Sequence, residues 1–343
     1  METHVTTLTD RLPLEAQLCR AANTLRQGGL VAFPTETVYG LGANALDKMA
    51  VLKIFAAKGR PADNPLIAHI ADFDEVYQLT EQVDERAKKL AKAFWPGPLT
   101  MIFTRRKDVP AELSAGMDTV AVRMPSHPAA RALISLAGVP VAAPSANLSG
   151  RPSPTCGRYV LEDLMGRVDE IVVGDDCKVG IESTVLSFSG KEPVILRPGA
   201  VTKEMLEQVI GPVQLHHAAT ESLKEGEQAA SPGMKYKHYA PEAHVILVEG
   251  KGFARFVKEK LNETTAAMCF EETAEKLPKN SPVFVYASHS DEQNQGAKVF
   301  TLLRDMDKRG FTTVYCEAPE KTGVGLAVYN RLVRAAGFEV ITL

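Results

Sequence analysis

Apolar residues follow two spacings along the first two thirds of the chain. Apolar positions three and four residues apart predict helices at Leu14–Arg26, Asp47–Ala57, Val83–Phe94 and Pro128–Gly138. Asp47 is the expected N-cap of the second of these helices. Short apolar runs predict strands at Leu30–Phe33, Leu66–Ile70, Leu99–Thr104, Thr119–Arg123, Val139–Ala143, Ile171–Val173, Thr184–Ser187 and Val194–Arg197. The alternation, with some adjacent strands paired antiparallel, predicts an α/β domain with a mixed sheet and flanking helices.

A polar segment without periodicity follows at residues 212–241, and we interpret it as an interdomain linker. The pattern then restarts and predicts strands at Val245–Val248, Ala266–Phe270, Val283–Tyr286 and Thr313–Cys316, with helices at Phe253–Leu261, Ala297–Arg309 and Leu326–Ala336. Such regular alternation is typical of a small Rossmann-like parallel sheet. The predicted organisation is a domain at residues 1–211, a linker at 212–241 and a second α/β domain at 242–343.

Composition narrows the class of protein. The 343 residues are 45% hydrophobic and 24% charged, which excludes wholesale disorder. A formal net charge of -3 argues against a dedicated nucleic-acid-binding domain. Five scattered cysteines without a C-x-x-C pair indicate neither a disulfide framework nor a structural zinc site. With no signal-peptide pattern and no long apolar run, we expect a cytoplasmic protein that does not bind a membrane.

Common nucleotide and metal motifs are absent or out of context. The run Gly40-Leu41-Gly42 fits a relaxed dinucleotide pattern, but the segment Pro34-Thr35-Glu36-Thr37 separates it from the preceding strand, and a tight turn with close backbone packing is favoured. A second run, Gly323-Val324-Gly325, predicts the start of the last helix. There is no G-x-x-x-x-G-K-[ST], H-E-x-x-H or G-x-S-x-G. We therefore expect no metal site built from protein side chains alone.

Polar residues cluster instead at predicted strand ends, where open α/β sheets bind ligands. Four candidate cations stand among hydroxyls and amides, namely Lys58, Arg60, Arg123 and Arg197. Such a set suits a polyphosphate or a carboxylate. No nucleophile–base pair such as Ser–His or Cys–His accompanies them, which points to catalysis by positioning and charge stabilisation, as in phosphoryl or nucleotidyl transfer.

Structural roles remain open for each of these residues. Lys58 and Arg60 could interact with a helix C-terminus, and Arg123 could pair with a surface acid. Ser145 and Asn147 could be turn residues between Pro144 and Gly150. His69, on an apolar strand, is more often a core residue than a ligand. The joint occurrence of the clusters favours a functional site.

These segments resemble the YrdC-like family. The resemblance is carried by Lys58-x-Arg60, Pro65-Leu66, Ser145-x-Asn147, the run from Gly29 to Gly42, the run from Phe94 to Thr100, and Leu196-Arg197-Pro198-Gly199. It spans about residues 12–210. The run from Ser231 to Pro241, followed by an α/β domain, resembles the long two-domain form of the family. The fold implied is a YrdC-like twisted mixed sheet with flanking helices.

The resemblance implies a reaction. L-Threonine, bicarbonate and ATP would give threonylcarbamoyl-AMP and pyrophosphate, for a downstream tRNA threonylcarbamoyltransferase machinery that modifies adenosine next to the anticodon. Lys58 and Arg60 would be catalytic, with Mg²⁺ arriving with ATP. The implied threonine-binding residues are Thr35, His69, Arg123, Ala143 and Thr184. The implied ATP-binding residues are Lys58, Arg60, Thr119, Ser145, Asn147, Ser153, Arg197 and Tyr236. A weak direct contact with tRNA would also be consistent.

Two further expectations follow. We expect the linker to fold over the cleft as a lid, with Tyr236 near the nucleotide, because a lid protects a labile mixed anhydride. We expect the second domain to support regulation or the lid, since it lacks a phosphate-binding fingerprint. The alternatives are an RNA-binding or ribosome-maturation module without its own chemistry, and a hydrogenase-maturation carbamoyltransferase. The nearly balanced charge of the chain weakens the RNA-binding alternative. A hydrogenase-maturation carbamoyltransferase would normally bring Cys pairs and an acylphosphatase region, and this chain has neither.

Overall fold

The structure, a computed structural model, describes residues 1–190, 192–223 and 239–343. The first part of the chain contains eleven described strands: β1 (His4–Thr7), β2 (Val31–Phe33), β3 (Gly40–Asn44), β4 (Ile67–His69), β5 (Leu99–Thr104), β6 (Thr119–Arg123), β7 (Val141–Ala142), β8 (Glu170–Val173), β9 (Thr184–Ser187), β10 (Val194–Arg197) and β11 (Gln214–Leu215). Its helices are α1 (Leu14–Arg26), α2 (Lys48–Lys58), α3 (Glu85–Phe94), α4 (Pro128–Ala137), α5 (Gly157–Leu164) and α6 (Lys203–Ile210).

These strands form one mixed sheet in the order β1-β8-β2-β3-β7-β4-β6-β5-β9-β10-β11. Parallel pairs such as β4 with β6 stand beside antiparallel pairs such as β5 with β6. The mixed α/β architecture predicted from the sequence is confirmed. The main apolar core packs α2, α3 and α5 against the sheet, and a second cluster joins α1 to α4. The aspartate predicted to begin α2 is confirmed as its N-cap, because Asp47 accepts from the backbone N–H groups of Met49 and Ala50.

The glycine run at residues 40–42 was predicted wrongly as a turn. Gly40–Asn44 is strand β3, paired antiparallel with both β2 and β7. The close packing expected there is present, because a Cβ on Gly42 would lie 2.8 Å from both Phe33 Cε1 and Val141 Cγ1. A glycine-rich strand carries a weak propensity signal, and its central place between two partners outweighs that signal.

A second sheet lies in the later part of the chain. Its strands are β12 (His244–Glu249), β13 (Thr265–Cys269), β14 (Val283–Val285), β15 (Thr313–Glu317) and β16 (Val340–Thr342), all parallel, in the order β14-β13-β15-β12-β16. Its helices are α7 (Phe253–Val257), α8 (Glu271–Ala274), α9 (Glu292–Lys308) and α10 (Gly323–Ala335). The expected parallel Rossmann-like sheet and the helix start at Gly323 are confirmed.

The start of the predicted linker was placed wrongly. Residues 214–215 form β11, which pairs in parallel with β10, and a short 3-10 turn follows at His217–Ala219. The first sheet thus extends past residue 211, because the two residues of β11 pair with β10 at its edge. The lid segment with Tyr236 lies outside the described residues. Within the described residues, no helix is both long and apolar enough to cross a bilayer.

Candidate functional site

A cavity lies at the large sheet, where several strands end together. His69 ends β4, Arg123 ends β6 and Arg197 ends β10. β4 and β6 are parallel with His69 opposite Arg123, so their side chains reach one edge. The segments after β2 and before β9 complete the wall. The lining residues are Thr35, Thr37, Val38, Tyr39, Gly40, Arg60, Ile67, His69, Arg123, Ala143, Pro144, Ser145, Glu182, Ser183, Arg197 and Tyr239.

Arg123 is oriented by an ion pair with Glu36. The Arg123 Nη2 atom lies 2.7 Å from Glu36 Oε1, and both side chains are buried. The same guanidinium donates to Thr37 Oγ1 at 2.8 Å and to Gly97 O at 3.3 Å. Burial alone would raise the pKa of Glu36, but the charge of Arg123 holds it below its ordinary value. The acid that partners Arg123 is therefore buried, and the expected alternative of a surface acid is wrong.

Arg197 is held by the segment that precedes β9. Its Nε donates to Ser183 O at 3.1 Å and its Nη2 to Ser183 Oγ at 3.2 Å. Ser183 Oγ in turn lies 2.7 Å from Thr100 Oγ1 on β5. Arg60 lines the same cavity from the loop after α2. Three of the four predicted cations, Arg60, Arg123 and Arg197, thus converge, and they give the cavity the cationic character that the sequence predicted.

Lys58, the fourth cation, has a different position. It is the last residue of α2 and is 3% exposed, and its ammonium donates to the backbone carbonyls of Ser145 and Asn147, the latter at 2.6 Å. Burial, followed by the charge of Arg60, lowers the pKa of Lys58 well below its ordinary value. The two hydrogen bonds from Lys58 Nζ fix the 145–147 loop, and Lys58 is not among the residues that line the cavity.

The loop that Lys58 holds carries two of the predicted ATP-binding residues. Ser145 lines the cavity, and its Oγ donates to Asn147 Oδ1 at 2.5 Å. Asn147 Nδ2 donates to the carbonyls of Leu148 and Arg151 at 2.8 and 2.9 Å. The amide of Asn147 is thus used within the loop, where it shapes the turn that presents Ser145.

The residues predicted for threonine mostly meet at the cavity. Thr35, His69, Arg123 and Ala143 all line it. Burial, followed by Arg123, lowers the pKa of His69 to about 3, so its imidazole is neutral at pH 7. The Thr35 hydroxyl donates to Val38 O at 2.6 Å and stabilises the turn after β2. Thr184 lies beneath the wall, where its hydroxyl donates to Val201 O at 2.6 Å.

Two more predicted ATP residues lie away from the lining. Thr119 begins β6, about 13 Å from Arg123 at the usual rise of about 3.3 Å per residue. Ser153 is buried behind the wall, and its Oγ donates to Glu182 Oε1 at 2.5 Å. Tyr236 lies outside the described residues. The structure therefore brings together most, but not all, of the predicted set.

Four polar lining residues that precede the predicted linker were not assigned a role from the sequence, namely Thr37, Tyr39, Glu182 and Ser183. Thr37 and Tyr39 lie in the run from Gly29 to Gly42, and Glu182 and Ser183 directly precede the predicted strand Thr184–Ser187. Their position next to the predicted residues was the available signal. Tyr239 also lines the cavity, although it belongs to the predicted linker. The centroid of its ring lies 5.0 Å from that of Phe300 in the second unit, the α/β part of the chain that carries β12 to β16. Among the described residues, no group of three or more His, Cys, Asp or Glu side chains could hold a metal ion.

The second unit packs directly behind this site. Arg304 of α9 donates to Pro152 O at 2.6 Å and pairs with Asp163 at 2.7 Å. Arg331 of α10 lies 2.9 Å from Glu182 Oε2. Both arginines are buried. The contacts behind the cavity wall therefore include ones made by α9 and α10, which belong to the second unit.

Comparison with known proteins identifies the family. A family model that covers the Sua5, YciO and YrdC proteins, described as "Telomere recombination", matches residues 23–199. The chain belongs to the Sua5/YciO/YrdC family. A second model, described as "Threonylcarbamoyl-AMP synthase, C-terminal domain", matches residues 201–337. The long two-domain form of this family, expected from the sequence, is confirmed.

Relatives in the Sua5/YciO/YrdC family extend over nearly the whole chain. The chain is 46% identical to the threonylcarbamoyl-AMP synthase of Pyrococcus abyssi, over 94% of both proteins. It is 45% identical to the protein of that name from Bacillus subtilis, over 97% of both. The crystal structure of P. abyssi Sua5 complexed with L-threonine superposes with a TM-score of 0.92 at 43% identity, covering 99% of this chain and 100% of that one. These relatives are enzymes by name, and this chain is an enzyme of the same family.

Proposed function

We propose that this chain synthesises threonylcarbamoyl-AMP from L-threonine, bicarbonate and ATP, with release of pyrophosphate and water. The observation that carries the proposal is the cavity itself, in which three arginines converge, within a fold that matches a threonine-bound Sua5 along its full length. Under this proposal the enzyme is a nucleotidyltransferase, because it transfers AMP to a carbamate oxygen. The product serves the threonylcarbamoylation of tRNA next to the anticodon.

The chemistry needs no protein nucleophile. The threonine amine combines with bicarbonate to give a carbamate, and a carbamate oxygen then attacks the α-phosphorus of ATP. The bond from that phosphorus to the bridging oxygen breaks, and pyrophosphate leaves with the bond's electron pair. The residues of this chain supply orientation and positive charge, which are the two contributions that such a displacement requires.

The arginines divide between two anionic groups in our proposal. Arg123, already oriented by Glu36 and Thr37, receives the threonine carboxylate, with Thr35, His69 and Ala143 around the rest of the amino acid. Arg60 and Arg197 face the phosphates, with Ser145 beside them. A guanidinium presents paired N–H donors to such oxygens and keeps its charge when buried. Lys58 contributes through the 145–147 loop that it holds.

Mg²⁺ enters as the complex with ATP. The described residues that line the cavity offer few carboxylates, and Glu182 is already bound to Ser153 and Arg331. This set fits a Mg²⁺ that is held by phosphate oxygens and water, which is how proteins usually bind that ion beside nucleotides. When bound, the ion would neutralise charge on the departing pyrophosphate.

A cytoplasmic location completes the proposal. The five cysteines are free thiols, which is the state expected in a reducing compartment. The downstream tRNA threonylcarbamoyltransferase machinery would take up the product there. A weak contact of this chain with tRNA would aid that transfer.

Pyrophosphate release tests the proposal. Protein is incubated with ATP, Mg²⁺ and bicarbonate, and each amino acid is added in turn. We expect release that depends on threonine and on bicarbonate, together with an adenylate that mass spectrometry identifies as threonylcarbamoyl-AMP. Retention of tRNA without any threonine-dependent release would contradict the proposal and would support the RNA-binding alternative.

A further inference from the structure

One arginine of the second unit reaches the wall of the cavity. Arg331, on α10, is fully buried and is the largest such side chain among the described residues. Its Nη2 donates to Glu182 O at 3.0 Å, while its Nε lies 2.9 Å from Glu182 Oε2. Its Nη1 donates to Pro198 O at 2.6 Å. A single guanidinium therefore joins two segments of the first sheet's loops.

The two segments that Arg331 joins are those that hold Arg197. Pro198 directly follows Arg197, and Glu182 directly precedes Ser183, which accepts two hydrogen bonds from the Arg197 guanidinium. The segments lie very close together, because a Cβ on Gly199 would lie 2.3 Å from Thr184 N. The spacing imposed by Arg331 thus sets where the Arg197 guanidinium enters the cavity.

Arg331 also compensates the negative charge of the Glu182 carboxylate. Glu182 lines the cavity, and its Oε1 accepts from Ser153 Oγ at 2.5 Å. Burial alone would raise the pKa of Glu182, but Arg331 and Arg197 hold it below its ordinary value, so the carboxylate is ionised. An uncompensated carboxylate on this wall would repel an anionic substrate, since the interaction of buried charges is poorly screened.

We propose that Arg331 is a positioning residue for the reaction: from the second unit it orients Glu182, Ser153 and Arg197 and cancels the charge of Glu182 beside the phosphates of ATP. This inference rests on the proposed function and deepens it. It gives the second unit a direct part in building the nucleotide site. Single-unit members of the family would have to build that wall by other contacts.

Five variants of the full chain, one of them a control, test the proposal in a pyrophosphate-release assay. Arg331→Met removes the larger of the two positive charges that compensate Glu182, and we expect KM for ATP to rise about tenfold or more, with a smaller change in KM for threonine. Glu182→Gln introduced into the Arg331→Met protein removes the repelling charge, and we expect KM for ATP to fall by at least about threefold from the Arg331→Met value. Glu182→Gln alone completes the double-mutant cycle.

Arg331→Lys separates charge from geometry. The ammonium keeps the positive charge but cannot reach Glu182 and Pro198 together as the guanidinium does. We expect KM for ATP within about threefold of wild type and a kcat at least about tenfold lower, because Arg197 is displaced. Arg334→Met is the matched control, since Arg334 is buried one turn away on α10 and donates to Ala218 O at 2.7 Å. We expect it to leave KM for ATP within about twofold of wild type.

Several outcomes would overturn the inference. A folded Arg331→Met protein with wild-type KM for ATP would do so, as would equal rises in KM for Arg331→Met and Arg334→Met. A double variant no better than Arg331→Met would remove the charge argument. If Arg331→Met does not fold, an unchanged kcat in Arg331→Lys removes the positioning argument. A wild-type protein without threonine-dependent release contradicts the proposed function itself, independently of Arg331.

Discussion

Arg123 and Glu36 form a buried ion pair with 2.7 Å between Nη2 and Oε1, and this pair sets the direction of one of the three guanidiniums that line the cavity. Glu36 lies in the segment between β2 and β3, whereas Arg123 ends β6, so the pair joins distant parts of the chain. Removing one member of such a pair leaves a buried charge without its partner, which is costly.

Glu36→Gln should weaken the binding of threonine. The amide keeps the size of the carboxylate but loses its charge, so the Arg123 guanidinium is free to tilt out of the orientation that Thr37 and Gly97 only partly fix. We expect KM for threonine to rise roughly tenfold while KM for ATP changes by less than about threefold. Steady-state pyrophosphate release measures both values. A larger effect on ATP than on threonine would contradict the assignment of Arg123 to the threonine carboxylate.

Lys58→Met should disable the 145–147 loop. The methionine fills the space but leaves the carbonyls of Ser145 and Asn147 without their donor. A shift of about 1 Å in Ser145 would lower kcat by roughly 100-fold. The control is Lys53→Met on the same helix, because Lys53 donates to Gly28 O at 2.6 Å, away from that loop. Equal losses of kcat in the two variants would show that only the stability of α2 was affected.

His69 should make stability depend on pH below neutrality. Its pKa falls from 6.5 to about 3 on folding, so between these values the unfolded chain binds the proton and the folded chain does not. The stabilising contribution is therefore present above pH 6.5 and is lost as the pH falls towards 3. The slope from this group is at most about 1.4 kcal/mol per pH unit.

Urea unfolding between pH 4 and 7.5 measures that slope. We expect His69→Asn to flatten the dependence of the unfolding free energy on pH by a large fraction of that amount, whatever its effect at pH 7.5. The exposed His4, changed to Gln, is the control for the loss of one histidine. Parallel slopes for wild type and His69→Asn would contradict the burial of a neutral imidazole.

Gly42→Ala should destabilise the centre of the large sheet. The added Cβ would lie 2.8 Å from Phe33 Cε1 and from Val141 Cγ1, on β2 and β7. Overpacking of this kind costs typically about 1–3 kcal/mol. The control is Gly190→Ala, whose Cβ meets nothing nearer than Glu192 O at 3.5 Å. Chemical denaturation compares the two, and equal stabilities would show that β2 and β7 can move apart freely.

The sequence predicted local structure most closely where one periodicity persists. Leu14–Arg26, Leu99–Thr104, Thr119–Arg123 and Thr184–Ser187 have the predicted bounds, because their apolar spacing and their Gly or Pro neighbours act within a few residues. The short strands β1, β11 and β16 were missed, since their stability comes from partners distant in the chain. The glycine-rich β3 was missed for the same reason.

The sequence by itself determined the cationic chemistry of the site, the two α/β units and the family, because these depend on residue types at fixed short spacings. Only the tertiary structure decided which charges face the cavity. Arg60, Arg123 and Arg197 line it, whereas Lys58 is used on two backbone carbonyls, and Arg331 arrives from the second unit. The physical reason is that a buried charge must find a partner, and the partner is chosen by contacts between segments far apart in the chain.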